Sequence, residues 1–127
     1  MYPELFRIGS FPVTTYGIFL AAGMLCAPGV ATPTEAFAAL EAGAHVLKLF
    51  PAESIGPAGL KAMASVLPAG TPLWPVGGVT PEQLGAWRAA GASGAGIGGG
   101  LFVPGVELNV LAARAAAYVA AWRSAAD

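Results

Sequence analysis

The run "HVLKLFPAE", residues 45–53, sets Lys48 among apolar neighbours in what reads as a buried strand. A lysine amine attacks a carbonyl only when it is neutral. Burial disfavours the charged ammonium and so supplies that form. The product with a ketone is a protonated Schiff base, which withdraws electrons and permits carbon–carbon cleavage. The alternative is a strand-end lysine reaching water along its own aliphatic stem, and spacing alone slightly favours it.

Two glycine clusters offer a second chemistry. "VGG" places Gly77 and Gly78 ahead of the helix signal "TPEQ", and "GIGGG" places Gly98, Gly99 and Gly100 ahead of a turn. Backbone amides unobstructed by side chains can cradle a phosphate, with help from a nearby helix dipole. The competing reading is a pair of tight strand-to-helix turns; two clusters on successive strand ends balance the two. "GIGGG" is not a dinucleotide fingerprint, because no acidic residue follows at the required distance. His45 reads as a strand-entry or packing residue, Glu53 as solvated, and Trp74, Trp87 and Trp122 as core or packing residues.

The 127 residues suffice for one domain with a modest core. Apolar residues make up 56% and charged residues 10%, which is high and low for a soluble surface. That balance hints at a partner surface or a membrane segment. The net charge of −1 favours neither nucleic acid nor an acidic lipid surface. A single cysteine, Cys26, rules out an intrachain disulfide, and with one histidine the usual zinc clusters are excluded. No metal and no cofactor are expected.

From residue 27 onward the chain alternates strand and helix signals. Strands are expected near 28–31, 45–50, 72–76 and 94–98. Helices are expected over 32–43, 56–70, 80–91 and 106–127. Thr32-Pro33 with Glu35, and Thr80-Pro81 with Gln83, carry the N-cap pattern. Leu108, Leu111, Ala115, Tyr118 and Trp122 form one stripe on the last helix. Short apolar strands joined by helices predict a parallel α/β sheet, buried on both faces, of barrel or doubly wound type. Chemistry in such folds sits at the C-terminal strand ends, where Lys48 and both glycine clusters fall.

The stretch from "PGVATPTEAF" through "KLFPAESIG" and "PVGGVTPEQ" to "GAGIGGGLF" resembles the C-terminal half of the 2-keto-3-deoxy-6-phosphogluconate and 4-hydroxy-2-oxoglutarate aldolases. The resemblance covers residues 28 to about 127, and Val76 looks like the galactonate branch. It implies a partial TIM (β/α) barrel of four strand–helix units. It also implies a class I aldolase cleaving a phosphorylated 2-keto-3-deoxy sugar acid to pyruvate and glyceraldehyde 3-phosphate. Lys48 would form the imine, and Gly77, Gly78, Gly98 and Gly99 would hold the phosphate. Gly99 stands where a serine is common, which removes one hydroxyl contact. The family's glutamate acid/base and its anion-holding arginine have no matching positions here, so impaired activity is expected. A non-catalytic half-barrel, self-associating as a homo-oligomer to cover its sheet edges, is the alternative.

Residues 1–24, "MYPELFRIGSFPVTTYGIFLAAGM", resemble the N-terminus of prolipoprotein diacylglyceryl transferase, without that enzyme's catalytic motifs. Residues 1–26 therefore read as an apolar segment of foreign origin, an arm or hairpin joined to residues 27–127. The apolar run within 11–25 is short of the ~20 residues a span needs, and a lone Arg7 makes a poor signal peptide. A cytoplasmic location is expected, with inner-membrane association through residues 11–25 as the alternative.

Overall fold

The computed structural model describes the backbone of residues 4–8 and 11–14, and residues 27–125 in full. Strands β1 (Glu4–Ile8) and β2 (Phe11–Thr14) pair antiparallel, with Ile8 opposite Phe11 and an irregularity between Glu4 and Phe6. The remainder of the apolar run proposed as a membrane contact, residues 15–25, lies outside the described residues. Among those described, no helix is long and apolar enough to cross a membrane.

The main sheet is parallel, in the order β3 (Gly29–Val30), β4 (Leu47–Leu49), β5 (Leu73–Pro75). Gly29 pairs with Lys48, and Lys48 with Trp74, so the three strands are in a single register. Alternation then sorts their side chains. Val30, Leu47, Leu49, Leu73 and Pro75 are buried, and they share the core with Ala36 of helix α1 (Pro33–Glu41) and Leu60 and Met63 of helix α2 (Ala52–Val66). Each fully buried leucine contributes roughly 1.5–3 kcal/mol. The opposite face carries Lys48, Phe50 and Trp74, the two aromatics being 52% and 38% exposed. The expectation of burial on both faces is therefore corrected. Among the described residues, α1 and α2 cover the side of Leu47 and Leu49, and Trp74, expected as a core or packing residue, stays 38% exposed on the face of Lys48.

The fourth strand expected at 94–98 is reduced to a single parallel bridge between Val76 and Gly96. Glycine weakens a strand by offering no side chain to pack. Here it makes room instead. A Cβ on Gly94 would lie 2.7 Å from the Trp74 ring nitrogen, and one on Gly96 would lie 2.5 Å from a Val76 methyl. The larger side chains of β5 thus lie over the glycines of the next segment. Ser93 and Gly96 still donate backbone hydrogen bonds to Leu73 and Pro75, at 3.1 and 3.0 Å.

Helix α2 also differs from expectation. One turn, Ala52–Ile55, precedes a break at Gly56 (φ 70°, ψ 169°). Pro57 then opens the longer part, as proline does at a first helical position. A 3-10 turn (Pro81–Gln83) leads into helix α3 (Leu84–Ala89), and helix α4 runs Leu108–Ser124. On α4 the stripe at Leu111, Ala115, Tyr118 and Trp122 is half-buried, but Leu108 is 82% exposed in the first turn and drops out of it.

The cap at α1 forms as a reciprocal box. Glu35 Oε2 accepts from the backbone N–H groups of Ala31 (2.8 Å) and Thr32 (2.9 Å), and Thr32 Oγ1 accepts from the Glu35 N–H at 3.3 Å. The bond from Ala31, then those from Thr32, hold the Glu35 carboxyl below its ordinary value. Thr32→Ala should cost about 1 kcal/mol in urea unfolding. A carboxyl depressed in the folded state stabilises above its unfolded pKa and stops doing so as pH falls through its folded one. The stability gap between the wild type and Glu35→Gln should therefore be full at pH 7 and close on acidification below about pH 4.

Candidate active site

Lys48 occupies the middle of the central strand. Its backbone N–H donates to Pro28 O at 2.9 Å, which fixes its place beside β3. Its side chain rises over Gly29, where a Cβ would touch Cε at 3.4 Å and Nζ at 4.0 Å. The amine stands 5.8 Å from the centre of the Phe50 ring, two residues further along the same face. A cation over an aromatic face gains roughly 0.5–1 kcal/mol at exposed sites. Lys48 is half-buried between buried Leu47 and Leu49, with its amine on the open face. The stem is packed over Gly29. His45 is exposed, and Lys61 is exposed on α2.

The two glycine loops differ. Gly77 (φ 100°) and Gly78 (φ 69°) both occupy the left-handed region, so this turn requires glycine. A Cβ on Gly77 would press the Phe50 ring at 3.3 Å, and one on Gly78 would lie 2.5 Å from Glu53 Oε2. Glu53 is exposed, as expected, but its side chain lies against Gly78, which the sequence did not indicate. By contrast Gly98 and Gly99 have no positive φ and nothing within 4 Å of an added Cβ. Both residues are exposed, and Gly98 O accepts from the N–H groups of Leu101 and Phe102 at 2.9 and 3.1 Å. The helix behind the Gly77-Gly78 loop is only the six-residue α3, so its dipole adds little and the loop amides carry any attraction for an anion.

Helix α4 joins the two loops. Tyr118 Oη donates to Val79 O at 3.0 Å, one residue past Gly78, and a Cβ on Gly100 would collide with the same oxygen. Nothing in the spacing of Tyr118 distinguished it from a core residue. An apolar cavity of about 360 Å³, lined by residues including Leu84, Ile97, Tyr118 and Trp122, lies alongside α4 and does not include Lys48. No group of metal-ligating side chains occurs among the described residues.

Comparison with known proteins follows the same residues. A family model described as "KDPG and KHG aldolase" matches residues 18–114. The 2-dehydro-3-deoxy-6-phosphogalactonate aldolase of Escherichia coli (strain K12) is 50% identical over 103 residues, 81% of this chain and 50% of its own length. The probable enzyme of the same name from Rhizobium meliloti (strain 1021) is 43% identical over 100 residues, 79% of this chain and 47% of its own. The solved native KDPGal structure superposes with a TM-score of 0.79 at 48% identity, covering 84% of this chain and 52% of that one. The parallel sheet and its helices thus match part of an aldolase TIM barrel. The chain spans about half the length of the curated relatives it matches.

The conformations of the two loops give a sharp contrast. Gly78→Ala meets both a left-handed φ and Glu53, and should lower stability by more than about 1 kcal/mol. Gly98→Ala and Gly99→Ala should stay within about 0.5 kcal/mol of the wild type. Thermal unfolding of the three variants checks this.

Proposed function

The chain belongs to the KDPG and KHG aldolase family, and from that premise we propose that it contributes the imine-forming half of a class I aldolase site. The substrate is 2-dehydro-3-deoxy-6-phosphogalactonate or its gluconate epimer, and the products are pyruvate and glyceraldehyde 3-phosphate. The observation that carries the proposal is the placement of Lys48, an amine held on the open face of the central parallel strand with its stem packed on Gly29.

In this scheme Lys48 Nζ attacks the C2 carbonyl carbon and water leaves, giving a protonated imine. A base removes the C4 hydroxyl proton. The C3–C4 bond breaks, and its electron pair moves into the imine to form an enamine. The aldehyde departs. Protonation at C3 and hydrolysis release pyruvate and restore the amine. Atoms and charge balance with no redox partner. Phosphate binding falls to the amides of Gly77, Gly78, Gly98 and Gly99. The Glu53 carboxylate beside Gly78 opposes an anion there, so the open Gly98-Gly99 side takes the larger share.

The base is the weak point of these 127 residues taken alone. The family's glutamate has no match here, and Glu53 is exposed. General acid/base help contributes about 10²–10⁴-fold, and turnover should fall short by that order. The test is pyruvate release from the phosphogalactonate substrate. The chain alone should be nearly inactive. Mixing it with, or fusing it to, the N-terminal half of a family barrel should restore turnover, and Lys48→Arg in that mixture should abolish it. In the same mixture Gly99→Asp should raise KM for the phosphorylated substrate at least tenfold, because a carboxylate then faces the anion. Turnover that survives Lys48→Arg would overturn the scheme.

A further inference from the structure

The two glycine loops belong to different strand–helix units, and neither touches the other through a side chain of its own. One residue meets both. Tyr118 projects from the middle of α4, where its hydroxyl donates to Val79 O at 3.0 Å. The Tyr118 hydroxyl oxygen also fills the space where Gly100 would carry a Cβ. Further along the second loop, Arg114 Nη1, one turn earlier on α4, makes a long contact of 3.4 Å to Leu101 O. At its other end α4 is fastened to α3, since Arg88 Nη1 donates to Trp122 O at 2.6 Å and its guanidinium lies 5.0 Å from the Trp122 ring centre. The helix is thus held as a rigid bar, with one phenol clamped between two loops.

A phosphate held by amides from two loops demands that the loops keep a fixed separation. Amide donors misplaced by even a fraction of an ångström lose bond strength steeply. The glycines themselves do not fix the separation between the loops, because glycine is the most permissive residue; the bonds from the Leu101 and Phe102 N–H groups to Gly98 O lie within the second loop. We propose that Tyr118 is the positioning residue of the anion site: its hydroxyl sets the distance between the Gly77-Gly78 and Gly98-Gly99 amides without touching the ligand. This rests on the phosphate-binding role given to those glycines above. It also explains why the second cluster needs a third glycine. Gly98 and Gly99 are exposed with nothing near an added Cβ, whereas Gly100 makes room for the clamp.

The test is a titration of the full 127-residue chain with inorganic phosphate, followed by the amide resonances of Gly77, Gly78, Gly98 and Gly99. In the wild type all four should shift along one binding curve. Tyr118→Phe keeps the ring and removes only the hydroxyl, and should weaken that curve about five- to tenfold, the scale of one lost hydrogen bond. Amides of β3, β4 and β5 should not move. Gly100→Ala should weaken phosphate binding in the wild type by pushing on the hydroxyl. In the Tyr118→Phe background the same change should cost little further, because the colliding atom is gone. A purely structural role would lower thermal stability in Tyr118→Phe while leaving its phosphate curve where the wild type has it. If the wild type binds phosphate and Tyr118→Phe binds it equally well, the positioning role is overturned while the glycine site stands. If the wild-type glycine amides do not respond to phosphate, both fall.

Discussion

The single register shared by β3, β4 and β5 is the constraint from which the rest of the structure follows. Side chains of a strand alternate between faces, so fixing Gly29 opposite Lys48 and Lys48 opposite Trp74 assigns every neighbour. Leu47 and Leu49 go to the helix side and are fully buried. Lys48 and Phe50 go to the other. A slip of one residue would bury the amine against α1 and α2 and expose two leucines, which burial energy of roughly 1.5–3 kcal/mol per leucine strongly opposes. The position of the Lys48 amine is therefore enforced by the apolar residues on either side of it.

Glycine does three separate jobs around this face. Gly29, Gly94 and Gly96 give up volume so that Lys48, Trp74 and Val76 can lie over them. Gly77 and Gly78 adopt a left-handed turn that other residues resist. Gly98 and Gly99 do neither, and leave their backbone open. Glycines that look alike in the sequence thus divide into space-making, turn-making and open positions. Tyr118 of α4 contacts the residues that follow the last two kinds, Val79 and Gly100.

Much of this was legible from residue order. Thr32-Pro33 with Glu35 marked the start of α1, and the capping box formed there as the pattern implies. The parallel strands around Lys48 and Trp74 followed from short apolar runs between helical stretches. The strand at 94–98 was over-read, because its apolar and small residues suggested pairing while its alternate glycines leave only one bridge. The turn at Ala52–Ile55 was missed because Gly56-Pro57 reads as the beginning of a helix and conceals the turn before it. Leu108 was assigned to the apolar stripe by periodicity, yet it is 82% exposed in the first turn of α4. The contacts of Glu53 with Gly78 and of Tyr118 with Val79 and Gly100 span 25, 39 and 18 positions. No local pattern encodes such distances; only the packing of helices on the sheet brings them together.

The central claim is that strand register makes one lysine of this chain the carbonyl-reactive amine. The chain has two lysines, Lys48 in β4 and Lys61 exposed on α2. The most direct measurement is peptide mapping by mass spectrometry after incubation with pyruvate and reduction by borohydride. A reduced pyruvate adduct confined to Lys48 is the predicted result. Labelling of Lys61 to the same extent, or no adduct on Lys48, would contradict it.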